Sequence, residues 1–339
     1  MTRASFAASA ALCAALAACS PSSAEGSLGG PIIIPDPVPA TSPGAEQSCA
    51  IELIVLGAGQ DAGAPQLGNA DDEGPALLPT SLGLVDHERG QRFLFEATPA
   101  VTDQIHALDR IASPDPSAPG GLGLDGVFLT HAHIGHYLGL AQFGFESAST
   151  SSQRVYTMPR MAEFLRTNGP WSQLVKFGNI DIAELTEGEV QPLNEYLGVW
   201  PMRVPHRDEF SETVGFVIVT PGRTAAFIPD LDSWEEWEAQ SGETLRDLVL
   251  GFSFVFIDAS FWDDNELPGR DMSAIPHPRV SATMDRLTEL PDFIRSKVHF
   301  IHYNHTNPIR DPDSPQSREV IERGFNVARR GDRHCLSEL

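Results

Sequence analysis

Three imidazoles fall within six residues in the segment Leu129-Thr130-His131-Ala132-His133-Ile134-Gly135-His136. Imidazole is the commonest protein ligand for zinc and similar ions. Alternate residues leaving a strand project to one side, so His131 and His133 can share one ion, and His136 then swings to a neighbouring position. Three hydrogen-bonded histidines without metal would be the bland alternative. The pattern predicts a metal centre at the end of the short buried strand 126–130, and metal-centred chemistry needs further donors from elsewhere in the chain.

Three later apolar runs end in a histidine or an aspartate, each by itself more often structural than metal-binding. His206 closes Val204-Pro205-His206, Asp230 closes Phe227-Ile228-Pro229-Asp230, and His302 closes Val298-His299-Phe300-Ile301-His302. The elements that must hold them read as layered α/β. Strands are predicted over 51–56, 81–85, 92–95, 126–130, 200–204, 214–219, 224–228, 252–257 and 298–301, with 81–85 and 92–95 forming a hairpin around Asp86-His87-Glu88-Arg89-Gly90. Helices are predicted over 101–108, 160–166, 245–250 and 281–287. The glycine-rich Gly57-Ala58-Gly59-Gln60-Asp61-Ala62-Gly63 lacks the third glycine and following helix of a dinucleotide site, and Pro65 follows at once. It is read instead as a place where backbone approaches a cleft.

His-x-His-x-x-His after a hydrophobic strand and Thr resembles the signature of the metallo-β-lactamase superfamily, and His206, Asp230 and His302 match its later stations across most of residues 51–308. The resemblance implies a four-layer αββα sandwich with the metal site at the edge of its two sheets. It implies a first Zn²⁺ on His131, His133 and His206, and a second on His136, Asp230 and His302. One ion or two would fit, and Fe or Mn suits the same donors. A bound ion lowers the pKa of water to about 7, generating hydroxide at neutral pH. Asp230 would then take up a proton. Most hydrolases of the superfamily carry Asp immediately before the last histidine of the cluster, where this chain has Gly135, so the second position is thinner. His277, in Ile275-Pro276-His277-Pro278, lies where tRNA-maturation nucleases of the superfamily carry a catalytic histidine. His305 is read as a ligand, a proton donor or a loop anchor. Glu96 and Asp258, each ending an apolar run, are read as supports for ligands.

A narrower resemblance, carried by residues 56–66, by His136-Tyr137-Leu138-Gly139-Leu140 and by Asn304-His305-Thr306-Asn307-Pro308, is to the subgroup around the pyrroloquinoline-quinone biosynthesis B protein. It leaves three readings open: a hydrolase of a small ester, lactone, β-lactam or phosphodiester, an iron-dependent oxidase or hydroxylase, and an inactive binding protein on the same fold.

The ends of the chain speak to location. Arg3, an uncharged Ala/Leu-rich stretch and Leu16-Ala17-Ala18-Cys19 have the grammar of an export signal. Leu-Ala-Ala-Cys resembles the bacterial lipobox, which implies cleavage after residue 18, lipid on Cys19 and, with Ser20 following, the periplasmic face of the outer membrane. An ordinary secretory signal cut near Ala18 or Ala24 fits the same segment. Residues 19–48, rich in Ser, Pro, Gly and Ala, read as a flexible tether, leaving residues 49–339 as one domain. Cys49 and Cys335 bracket that domain, and in an oxidising compartment they are either bridged or two free thiols. With 23 Lys and Arg against 46 Asp and Glu, the formal net charge is −23. That excludes a nucleic-acid partner, which needs clustered cations, and leaves a small-molecule substrate, with membrane contact only through the lipid.

Overall fold

The structure is a computed structural model that describes residues 49–338. The expected signal, Cys19 and the tether lie outside them. Fourteen strands are described: β1 (Cys49–Gly57), β2 (Ser81–Asp86), β3 (Gln91–Phe95), β4 (Gly126–Phe128), β5 (Gln153–Thr157), β6 (Ile180–Glu184), β7 (Gln191–Pro192), β8 (Gly198–Arg203), β9 (Val214–Val219), β10 (Thr224–Ile228), β11 (Phe254–Asp258), β12 (Val298–Ile301), β13 (Asn326–Val327) and β14 (Arg333–Glu338). They form two seven-stranded sheets, ordered β14-β1-β2-β3-β4-β5-β6 and β13-β12-β11-β10-β9-β8-β7.

Apolar side chains of both sheets meet in one core. Phe95 and Phe128 of the first sheet stack at 5.0 Å between ring centroids, and both pack on Phe216 of the second. On its outer face the first sheet is covered by Val101–Ile111 and Pro159–Thr167, through Val101, Leu108, Met161 and Leu165. The second is covered by Trp234–Ser241, Leu245–Gly251 and Val280–Arg286, through Trp237, Leu248 and Met284. Layers therefore run helix, sheet, sheet, helix, the expected αββα sandwich. Strands buried on both faces read as continuous apolar runs, and Val-Gly-Phe-Val-Ile-Val of β9 is such a run.

The predicted 81–85 and 92–95 hairpin forms as β2 and β3 around a turn at 87–90. Helix Trp234–Ser241 was not predicted, although Ser233 caps it by accepting from the Glu236 backbone N–H at 3.1 Å. Strands β5, β6 and β14 were not predicted either. β14 is polar and half-buried, and it is a strand because it pairs with β1. That pairing brings Cys335 beside Cys49, and the two are joined by a disulfide with a Cα–Cα distance of 5.7 Å. Among the described residues no helix is long and apolar enough to cross a membrane.

β3, β4 and β5 run parallel, as do β10, β11 and β12. Their carboxyl ends open at one edge of the sandwich, the usual place for ligands in open α/β sheets. Glu96, His131, Asp230, Asp258 and His302 all stand there, each at or just after a strand's last residue.

Candidate metal centre

The chain leaves β4 through Leu129 and Thr130 in extended form. The Val214 N–H donates to Thr130 O at 3.2 Å and Ser211 Oγ accepts from Ala132 N at 2.8 Å, which docks the histidine segment on the second sheet. His133 is the residue before the short helix Ile134–Tyr137, so His136 lies one turn on and faces inward, while Ile134 faces out.

His131 Nε2 and His133 Nδ1 are 2.8 Å apart, and His206 Nε2 is 3.2 Å from His133 Nδ1. The far side of each ring fixes its tautomer. Thr130 Oγ1 donates to Glu96 Oε1 at 2.5 Å and so accepts from His131 Nδ1 at 2.8 Å. Asp232 Oδ1 accepts from His206 Nδ1 at 2.7 Å, and Glu209 Oε2 accepts from His133 Nε2 at 3.2 Å. Three nitrogen lone pairs are thereby aimed at one point, an arrangement that repels itself unless a cation sits between them. Their spacing is close to the edge of ~3.4 Å expected for nitrogens about a tetrahedral zinc at roughly 2.05 Å. Tying the outer ring nitrogen to an oxygen is also what orients metal-bound histidines.

Beside this group lies Asp230, 3% exposed. Its Oδ2 is 2.8 Å from His136 Nε2, 3.4 Å from His302 Nε2 and 3.6 Å from His131 Nε2, while Oδ1 is 3.8 Å from His206 Nε2. The His136 approach lacks hydrogen-bond alignment, and both Asp230 Oδ2 and His302 Nε2 are buried without a hydrogen-bond partner. Ser260 Oγ donates to Asp258 Oδ1 at 2.8 Å and lies 3.2 Å from His302 Nδ1, so the His302 proton sits on Nδ1 and its Nε2 lone pair faces the carboxylate. A buried lone pair aimed at a carboxylate oxygen fits a shared cation and little else. His131, His133 and His206 thus make one convergent group, His131, His136 and Asp230 a second, and Asp230, Asp258, His277 and His302 a third, each with donor atoms within 4.8 Å of one another.

Charges in the metal-free protein follow the same geometry. Burial pushes His131 well below its ordinary value and, more mildly, His133 and His302. Burial also pushes His136 down, but Asp230 and Glu96 outweigh it and raise that ring well above its ordinary value. Burial raises the Asp230 carboxyl, yet His302 and His136 bring it well below the carboxylate range. Burial lowers His277 too, but Asp258, whose Oδ2 accepts from its Nδ1 at 2.6 Å, lifts it to about 9.

His277 stands at this site, 3.7 Å from Asp230 Oδ1. His305 joins none of these groups: it lies on the loop after β12, where its carbonyl accepts from Arg310 Nη1 at 3.0 Å. Glu96 accepts from Thr130 Oγ1, and Asp258 from the Leu231 N–H, Ser260 Oγ and His277 Nδ1. Sequence reasoning missed Asp232, Glu209 and Ser260. Asp232, two residues after Asp230, carried a faint signal as a second acid in Pro229-Asp230-Leu231-Asp232. Glu96, His277 and His302 have positive φ, at 71°, 89° and 64°, in the left-handed region that β-carbon-bearing residues avoid. Backbone strain of this kind gathers at functional sites.

Among known proteins, the chain is 24% identical over 311 residues to coenzyme PQQ synthesis protein B of Bradyrhizobium diazoefficiens, covering 82% of this chain and 97% of that protein. It is 26% identical to the protein of the same name from Methylococcus capsulatus, covering 81% and 97%. Zn²⁺-bound PqqB from Methylobacterium extorquens shares the fold at a TM-score of 0.66 and 19% identity, over 84% of this chain and 99% of that one. A diphosphatase of the PhnP family shares it at 0.58 and 18% identity, over 84% and 96%. The Beta-lactamase superfamily domain matches residues 91–303, which contain every residue of the three convergent groups. The chain belongs to the β-lactamase superfamily, as a metallo-β-lactamase fold protein of the coenzyme PQQ synthesis protein B type.

Proposed function

We propose that this protein is an exported metal-dependent hydrolase acting on a small ester, lactone, β-lactam or phosphodiester, with His131, His133 and His206 holding a first ion and His136, Asp230 and His302 a second. The observation that carries the reading is the convergence of three imidazole lone pairs, each fixed from behind by Thr130, Glu209 or Asp232. Zinc suits this nitrogen-rich set, and when bound it supplies Lewis acidity and a water of pKa about 7. Asp230, buried between both groups, accepts a proton from the attacking water. His277, backed by Asp258, donates one to the leaving group. The net charge of −23 favours a small substrate over nucleic acid. The segment ending at Cys19 supports export and a lipid anchor at the periplasmic face of the outer membrane.

The test is the double variant His131→Ala/His133→Ala, assayed for bound metal and for turnover of chromogenic esters, phosphodiesters and β-lactams. Both should be lost together. Unchanged metal content would overturn the assignment. A second reading, an iron-dependent oxidase, is favoured by the kinship to coenzyme PQQ synthesis protein B. Iron as the native metal, with oxygen uptake and no hydrolysis, would replace the first reading with the second.

A further inference from the structure

His133 is where this site meets solvent. Its side chain is 18% exposed, against 9% or less for His131, His136, His206, Asp230, His277 and His302. A substrate therefore enters beside it, and two chain segments lie together there. Ala132 N donates to Ser211 Oγ at 2.8 Å, and His133 Nε2 donates to Glu209 Oε2 at 3.2 Å. Phe210, held between those two anchors, is 61% exposed, and Ile134, next to His133, is 63% exposed.

These two side chains do not stand singly. The Phe210 ring meets half-buried Phe164 at 5.4 Å, and Phe164 meets Tyr137 at 5.5 Å, on the helix that Ile134 begins. The opposite flank of that helix is closed by backbone, since a β-carbon built on Gly135 would lie 2.7 Å from Asp61 Cα in the loop after β1. Isolated exposed apolar residues are ordinary, but a linked set at the mouth of a buried polar site marks ligand contact. Charge at the mouth narrows the ligand further. Arg160 and Arg203 are paired with Asp208, and Arg207 with Glu209, so each arginine of this segment is already engaged by an acid. A carboxylate or phosphate gains little from such a surface, whereas an uncharged group loses nothing to it.

We infer that Ile134 and Phe210 hold the acyl chain of a neutral carboxylic ester or lactone, which sets the substrate class of this site. The inference rests on the hydrolase reading above. The leaving oxygen faces His277, which protonates it, so the acyl part is turned toward His133 and its apolar lip. Water adds to the acyl carbon, the acyl–oxygen bond breaks, Asp230 takes the proton lost by the water and His277 supplies the one gained by the leaving oxygen. Carboxylic acid and alcohol result.

The experiment compares zinc-loaded wild type with Ile134→Ser/Phe210→Ser, both as the mature chain, on p-nitrophenyl acetate and hexanoate. Both side chains are mostly exposed, so the fold should survive, and far-UV circular dichroism checks it. Each methylene taken up by an apolar surface is worth up to roughly fourfold, so the hexanoate-to-acetate ratio of kcat/KM should be about tenfold or more in wild type and fall toward one in the variant. A binding readout without turnover accompanies it: in chelator, wild type should bind the neutral fluorophore N-phenyl-1-naphthylamine and release it to methyl hexanoate, and the variant should bind it about tenfold more weakly. A flat ratio in wild type, a ratio or fluorophore affinity that the variant keeps, or fluorophore that methyl hexanoate does not displace overturns the inference. Faster turnover of bis(p-nitrophenyl) phosphate than of either ester overturns it and leaves the hydrolase reading standing. No turnover of any of these substrates sinks the hydrolase reading and this inference with it.

Discussion

His299 is a buried imidazole whose removal from water should make the protein acid-sensitive for reasons unrelated to the metal site. It stacks on Phe256 at 4.9 Å and 24°, and His334 of β14 meets its edge at 4.6 Å, so two histidines lie together across the junction of the sheets. Burial first, and His334 second, push His299 down to about 3. Its ordinary value is about 6.5, so below that the unfolded chain takes a proton that the folded chain refuses. Stability is thus fully present above about pH 6.5 and falls as the pH drops toward about 3. At about 1.36 kcal/mol per pH unit, the fall reaches about 2 kcal/mol by pH 5 and about 5 kcal/mol once the folded form also protonates. The assay is urea unfolding followed by tryptophan fluorescence at about pH 7.5 and pH 5, in chelator so that metal release contributes nothing. The comparison is His299→Phe, which keeps the stack and cannot titrate. Wild type should lose about 2 kcal/mol more than the variant between the two pH values. Equal losses would refute the reasoning, because then the acid response would come from other groups.

Three other perturbations have definite expected outcomes. Reducing the Cys49–Cys335 disulfide, or replacing Cys335 with Ser, frees a span of 286 residues and should lower the unfolding free energy by roughly 2–5 kcal/mol; a urea midpoint indifferent to reductant would contradict this. Gly135→Ala places a methyl 2.7 Å from Asp61 Cα and should destabilise by about 1–3 kcal/mol as the loop is pushed away. A thermal midpoint equal to wild type would mean that the loop yields freely. Asp232→Asn leaves His206 without its anionic partner and should weaken the first ion roughly 10- to 100-fold with folding intact, as read by chelator competition. Unchanged affinity would remove Asp232 from the site.

Much of the second sheet was legible because its strands are buried on both faces. Val214–Val219 and Thr224–Ile228 are apolar or β-branched runs, Val298–Ile301 is one broken only by His299, and the predicted bounds of all three match. Gln153–Thr157 escaped because it is short and alternates, with Arg154 exposed, so that no periodic signal rises above its surroundings. Arg333–Glu338 escaped because its strand character comes from β1 rather than from its own residues. The same division runs through the site. His131, His133 and His136 were visible because they are neighbours in sequence, and His206, Asp230 and His302 only because their order along the chain resembles the later stations of the superfamily. Glu209 was not, since nothing local marks a loop carboxylate whose partner lies 76 residues away.

The bond between Cys49 and Cys335 also decides how this domain meets force. Whatever is attached upstream of Cys49 pulls on the first residue of β1, and hydrogen bonds alone would let that strand peel from its neighbour one pair at a time. The covalent link sits at the pulled end and passes the load to β14, whose residues next to Cys335 are paired with β1 along Glu52, Leu53 and Ile54. Tension entering at the start of the domain is therefore returned along the last strand as shear over several hydrogen bonds, and the edge bearing His131, Asp230 and His302 lies outside that path.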